Sequence, residues 1–125
     1  MNRDCFKNGK NPENLLQTTL LFILIEGEGH GYWLAEKLKD FGFQEDEVNA
    51  STLYRNLRKM EKEGFIESTW KEGDQGPAKR VYVLTESGRE SLDFRVGHLS
   101  ERIKRIEKLV DHYNYHMKKN DGGEY

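Results

Sequence analysis

A chain of 125 residues is long enough for one domain with a modest core and too short for two independent ones. A net charge of −2, with 35% apolar and 34% charged residues, excludes a bulk polyanion binder, so any DNA-binding function must rest on a localised basic patch. The same composition points to much exposed helix surface, or to a core completed by a second chain.

Residues 1–11 mix charges with Asn and Gly and read as a mobile arm. Cys5 is the only cysteine, so no internal disulfide can form; with no signal peptide in view, a reducing cytoplasm is expected. Pro12 and Glu13 suit the first turn of a helix running to about Glu26, stopped by Gly27 and Gly29. Its apolar run, Leu15 to Ile25, is broken by Gln17, Thr18 and Thr19 and falls short of the about 20 residues a membrane span needs, which makes it a core helix and leaves no membrane partner. A second helix, Gly31 to Phe41, carries Leu34, Ala35 and Leu38 inward and ends at Gly42. Phe43 to Val48 form an acidic connection containing Glu45, Asp46 and Glu47.

A third helix starts near Ser51, capped by Asn49 or Ser51, with Gly64 as its left-handed stop and Phe65 as the apolar residue beyond. Leu53, Leu57 and Met60 recur at helical spacing and point inward. Two strands follow, Ile66 to Lys71 and Arg80 to Leu84, joined by a turn containing Gly73, Asp74, Gly76 and Pro77. Thr85 then caps a last helix that runs from Glu86 to about Lys119. Residues 120–125 read as a disordered tail.

In that last helix, Leu92, Val96, Leu99, Ile103, Ile106, Val110, Tyr113 and Met117 are spaced 4, 3, 4, 3, 4, 3, 4, an unbroken heptad seam. At 1.5 Å per residue the helix reaches about 45–50 Å, more than a domain of this size can cover. The first helix is expected to cover part of the seam, and a second copy of the chain the rest, giving a homodimer. Leu109 and Phe94 add apolar surface beside it. Gly97 weakens the helix and marks a bend or a close crossing, while Glu101, Arg102, Lys104, Arg105, Glu107 and Lys108 form a solvated face.

The third helix buries one stripe and offers hydroxyls, an aromatic and cations elsewhere, a composition suited to a nucleic-acid groove. Ser51, Thr52 and Tyr54 lie in its first turn, where free N–H groups and the helix dipole favour phosphate. Arg55 and Arg58 share a face and suit bidentate reading of guanine, whereas Lys59 and Lys62 suit phosphate contacts. Lys79 and Arg80 end the wing turn and can reach the minor groove or flanking phosphates. Tyr32, beside His30 at the head of the second helix, can touch phosphate. The plainer alternatives are a solvated helix face paired with Glu61 and Glu63, and a hairpin whose cations balance Glu72 and Asp74.

Other chemistry is weaker. Trp33 and Trp70, or Tyr113 and Tyr115, could line an effector cavity, although such residues are more often core or strand-surface aromatics. His112 and His116 are four apart on a helix but lack a third metal ligand, and Cys5 alone is poor support for redox sensing. No metal, cofactor or enzymatic activity is expected, because there is no phosphate loop, nucleophile elbow or paired acid and base.

The architecture is that of a winged helix-turn-helix: mainly α with a small β-hairpin wing and a long C-terminal dimerisation helix. H-G-Y at His30 to Tyr32, S-T-L-Y-R-N-L-R-K-M-E-K-E-G-F-I at Ser51 to Ile66 and G-P-A-K-R-V-Y-V-L-T-E-S-G at Gly76 to Gly88 resemble the PadR family of bacterial transcriptional regulators, in its short form with one helix after the wing. The match is collinear over most of residues 14–119, and the acidic Phe43 to Val48 connection departs from the pattern. The resemblance implies a homodimeric repressor that binds an inverted-repeat operator and releases it when a small molecule or stress signal acts on the dimer. It also implies a DNA-backbone contact for the Tyr54 hydroxyl together with Thr52. The resulting organisation is a winged-helix DNA-binding domain over 12–86 and a dimerisation helix over 87–119. The rival reading is a winged-helix dimer whose third helix docks protein.

Overall fold

Asn14 opens the first described helix, α1 (Leu15–Ile25), by accepting the Gln17 N–H on its side-chain oxygen at 3.0 Å. The computed structural model describes residues 14–73 and 76–121; the proposed arm with Pro12 and Glu13, Cys5, Asp74 and the end of the proposed tail lie outside them. The polar residues that interrupt α1 are buried with the leucines, because the helix runs through the middle of the core. Thr18 and Thr19 donate their hydroxyls to the carbonyls of Asn14 and Leu15, at 2.9 and 2.7 Å, which removes the cost of burying them. Among the described residues no helix is long and apolar enough to cross a membrane.

Strand β1 (Gly29–His30) leads directly into α2 (Gly31–Lys39). Helix α3 (Ala50–Lys62) is capped by Asn49, whose side-chain oxygen accepts the Thr52 N–H at 2.9 Å. It ends where Gly64 takes φ +87°, which lets the Phe65 and Gly64 N–H groups reach back to the Met60 and Glu61 carbonyls. Leu53, Leu57 and Met60 are buried, as their spacing predicts, and join Leu20, Leu21, Ile23, Leu24, Leu34, Leu38, Phe65, Ile66, Tyr82 and Leu92 in one core.

The wing is longer than its composition suggests and is not an isolated hairpin. Strands β2 (Ile66–Gly73) and β3 (Gly76–Leu84) pair antiparallel from Ile66↔Leu84 out to Gly73↔Gly76, so Gly73, Gly76 and Pro77, expected in the turn, belong to the strands. β1 adds a third strand beside β3 through Gly29↔Tyr82 and His30↔Val81. A two-residue strand shows no alternation and leaves no sequence signal. Its effect is to tie the head of α2 to the wing.

Helix α4 (Glu86–Asp121) begins at Thr85, whose hydroxyl oxygen accepts the Gly88 N–H at 3.0 Å. The same hydroxyl donates to the Gly64 carbonyl at 2.6 Å, and the Thr85 N–H donates to the Phe65 carbonyl at 3.1 Å. Its 36 residues span about 54 Å. Only the beginning is covered by α1. Leu92 is 3% exposed and belongs to the chain's own core, not to a free seam, because α1 lies against the first turns. Beyond the half-buried Leu99, residues 101–116 are exposed throughout. Gly97 marks no crossing within the chain: an added Cβ there would meet nothing within 4 Å.

Two glycines of α4 should therefore respond in opposite senses to alanine. At Gly88 an added Cβ would stand 2.0 Å from the Phe65 carbonyl oxygen, a backbone atom that cannot swing away. Gly88→Ala should lose about 1–3 kcal/mol despite alanine's better helix propensity, whereas Gly97→Ala should gain up to about 1 kcal/mol. Urea denaturation followed by helical circular dichroism measures both; an unchanged midpoint for Gly88→Ala would mean that the junction at Phe65 can open.

Candidate nucleic-acid interface

The stripe that α3 buries determines what it shows. With Leu53, Leu57 and Met60 turned inward, Ser51, Tyr54, Arg55, Arg58, Lys59 and Lys62 are exposed and Thr52 is half-buried. Ala50, Ser51, Tyr54, Arg55 and Arg58 line a depression along the helix. A second depression lies between the head of α2, α3 and the wing, lined by His30, Gly31, Tyr32, Tyr54, Lys79 and Arg80. Tyr54 borders both, so Ser51, Arg55 and Arg58 adjoin Tyr32, Lys79 and Arg80 around it, whereas Thr52, Lys59 and Lys62 line neither depression.

Close packing places Tyr54 there. Its ring lies against Gly31 so tightly that an added Cβ would stand 2.1 Å from the hydroxyl oxygen. Glycine at the first position of α2 is thus what allows α3 to approach. His30 caps α2, its Nδ1 accepting the Trp33 N–H at 3.3 Å, and its ring stacks on the exposed Tyr32 with centroids 6.4 Å apart. The β1–β3 pairing holds this helix head against the strand that carries Lys79 and Arg80.

The two wing cations differ. Arg80 donates from Nε to Ser68 Oγ at 2.8 Å and from Nη2 to Glu61 Oε1 at 3.3 Å, while Ser68 Oγ donates to Glu61 Oε2 at 2.6 Å. The guanidinium also lies over the ring of Trp70, its register partner on β2, at 5.7 Å. Arg80 therefore clasps the wing to α3, a role its position in sequence does not reveal. Lys79 is exposed and faces Lys71 across the register, and Lys71 is held by Glu28.

The charge on α3 is not balanced from within. Among the described residues Arg55, Arg58, Lys59, Lys62 and Lys79 have no carboxylate at ion-pair distance, because the acidic groups nearby are engaged elsewhere. Glu61 holds Arg80, and Lys39 holds both Glu45, at 2.7 Å, and Glu36, at 3.1 Å. Those contacts, the one to Glu45 first, raise the Lys39 pKa, and Lys39 in turn lowers that of Glu45. Phe43 and Val48 pack onto the core, so the acidic connection is folded back toward α2.

The aromatic residues considered for an effector cavity have other duties. Trp33 packs on the core over Gly29, with Lys37 above its ring at 5.8 Å, and Trp70 is the exposed platform under Arg80. Tyr113 and Tyr115 are exposed on α4, as are His112 and His116. Sequence reading passed over Asn56, half-buried between the candidate contacts Arg55 and Arg58 on α3. Its Nδ2 donates to the Thr52 carbonyl at 2.8 Å, and its Oδ1 accepts from Gln17 Nε2 at 3.0 Å. The only hint was a glutamine inside the most apolar helix.

Comparison with known proteins places this surface in a family. A family model described as "Transcriptional regulator PadR-like family" matches residues 20–93. The negative transcriptional regulator PadR of Bacillus subtilis (strain 168) is 33% identical over 95 residues, covering 72% of this chain and 51% of its own length, so the chain spans about half of that curated relative. The crystal structure of a PadR-like transcriptional regulator from Bacillus cereus strain ATCC 14579 is 30% identical, covers 78% of this chain and 93% of its own, and superposes with a TM-score of 0.68. A transcriptional regulator from Clostridium thermocellum is 27% identical over 75% of this chain and 91% of its own, with a TM-score of 0.65. This winged-helix chain belongs to the PadR-like family of transcriptional regulators, not to a family of enzymes.

Proposed function

We propose that the chain is a homodimeric, sequence-specific DNA-binding regulator of the cytoplasm that represses transcription from an inverted-repeat operator and is released by a signal. The observation that carries this reading is the set of five cations, Arg55, Arg58, Lys59, Lys62 and Lys79, around α3 and the wing that have no carboxylate at ion-pair distance among the described residues. On a chain of net charge −2, such a surface suits a polyanion bound at one place. Arg55 and Arg58 read base edges; Ser51, Thr52, Tyr54 and Tyr32, with Lys59, Lys62 and Lys79, hold phosphates. Arg80 contributes by keeping the wing on α3. The sign of regulation follows the name of the Bacillus subtilis relative.

The dimer rests on α4. Val96, Ile103, Ile106, Val110 and Tyr113 are 46–60% exposed at heptad spacing, and covering the exposed half of each contributes about 0.7–1.5 kcal/mol. With Leu99 and Met117 they form the seam for a second copy, whose α3 then addresses the other half-site.

Three measurements test this reading on DNA selected by the protein from its source genome. Arg55→Ala with Arg58→Ala should lower affinity by about 2–6 kcal/mol per half-site and flatten the sequence preference, because each bidentate contact contributes about 1–3 kcal/mol; unchanged preference would sink their role. If Lys59, Lys62 and Lys79 of both protomers each neutralise a phosphate, log affinity should fall against log salt with a slope of about −5, and binding without salt dependence would favour the protein-docking alternative. Ile103→Glu with Ile106→Glu should halve the mass in sedimentation, and a monomeric parent protein would refute the dimer.

The clasp has a test of sign. Ser68→Ala removes the hydroxyl that links Arg80 to Glu61 with no change of charge, so affinity should drop as the wing loosens. Tighter binding would instead make Arg80 a DNA contact that the clasp restrains.

A further inference from the structure

Arg95 is 1% exposed, and none of the contacts proposed above uses it. A guanidinium has donors only, so at this depth it must find acceptors. Its Nε donates to Ser91 Oγ at 3.0 Å, both Nη atoms face Gln17 Oε1 at 3.4 Å, and its plane lies over the Phe65 ring at 5.7 Å. Gln17, also 1% exposed, donates from Nε2 to Asn56 Oδ1, and Asn56 donates from Nδ2 to the Thr52 carbonyl. A continuous string of side-chain hydrogen bonds thus runs from α4 through α1 into the first turns of α3.

Its direction is forced. Arg95 can only donate, so Gln17 must turn its oxygen toward α4 and its NH2 group toward Asn56. Asn56 must then accept with its oxygen, which aims its own NH2 group at α3. Stability alone does not call for this arrangement: a well-packed apolar side chain is often as good as a buried charge or better. The two ends of the string suggest another use. Arg95 stands where α4 leaves its own core, between the buried Leu92 and the half-buried Leu99, and Thr52 stands in the turn that carries Tyr54 and Arg55.

We propose that Arg95, Gln17 and Asn56 are positioning residues that lock the orientation of α3 to the dimerisation helix, so that the dimer demands one spacing between its two half-sites. This rests on the reading of the chain as a DNA-binding homodimer. Desolvation lowers the Arg95 pKa, opposed by the field of Glu63, but an arginine stays charged at physiological pH, so the string has one polarity.

Asn56→Leu is the informative variant: it leaves Gln17 Oε1 to accept from Arg95 and replaces the acceptor of Gln17 Nε2 with an apolar side chain of similar volume, cutting the string without altering the surroundings of the buried charge. Asn56→Ala cuts the same link by truncation, at a half-buried position that can lose its side chain without unfolding the core. The full-length protein and both variants, checked as folded dimers by circular dichroism and sedimentation, are titrated with a single half-site and with inverted repeats whose spacer is native, one base pair longer or one shorter. The parent protein should prefer the native spacer at least about tenfold. Either variant should reduce that preference below about threefold while its half-site affinity changes by less than about threefold. Retention of the parental spacer preference by both variants overturns the proposal, as does equal loss of half-site and full-site binding. If the parent protein binds no selected DNA, it is the functional reading that fails.

Discussion

The Phe65 carbonyl is the fixed point of this fold. It accepts the Thr85 N–H, and the backbone of Gly88 presses on it so closely that no Cβ fits. One residue earlier, the Gly64 carbonyl accepts the Thr85 hydroxyl, which in turn accepts the N–H of Gly88. The end of α3, the start of β2, the end of β3 and the start of α4 therefore share donors and acceptors within a few residues. Each of these termini leaves backbone groups that must be satisfied, and here they satisfy one another. That junction fixes where α3, the wing and α4 meet.

A second consequence concerns charge. The chain carries slightly more acid than base, yet α3 presents a cationic face: Glu61, which lies among its cations in sequence, is committed to Arg80, while Glu36, Glu45 and Glu28 pair with Lys39 and Lys71. Exposed ion pairs contribute little to stability. Their effect here is to decide where unbalanced charge remains. Arg80 illustrates this: by holding Glu61 it removes a carboxylate from beside Arg58 and Lys62 and at the same time anchors the wing.

Helix α4 has two environments along one continuous element. Its first turns are core, with Leu92 and Arg95 buried among side chains of α1 and Phe65; after Leu99 it leaves the domain and carries an apolar seam into solvent. A helix anchored so firmly at one end and so bare along the rest can transmit the placement of a bound partner into the domain. Within this one chain, a buried polar string lies on that route.

Much of this was legible in the residues. Leu53, Leu57 and Met60 at helical spacing, Asn49 and Thr85 as caps and Gly64 as a stop all act within a few residues of chain, so local periodicity and capping chemistry were enough to place α3 and the start of α4, while the wing strands run further toward the turn than their composition suggests. What escaped depends on partners far apart in sequence. Arg80 reads as a free wing cation until the fold brings it to Glu61, 19 residues away. Nothing beside Arg95 in the sequence sets it apart; its acceptor, Gln17, is 78 residues away. Leu92 belongs to the seam by spacing and to the core by packing, and β1 is too short to have a period. The sequence alone determined the four helices, the two long strands and the buried stripe of α3, because those depend on neighbours along the chain. Only the tertiary structure decided which charges remain free and which polar groups are tied together, because that depends on distances the chain acquires on folding.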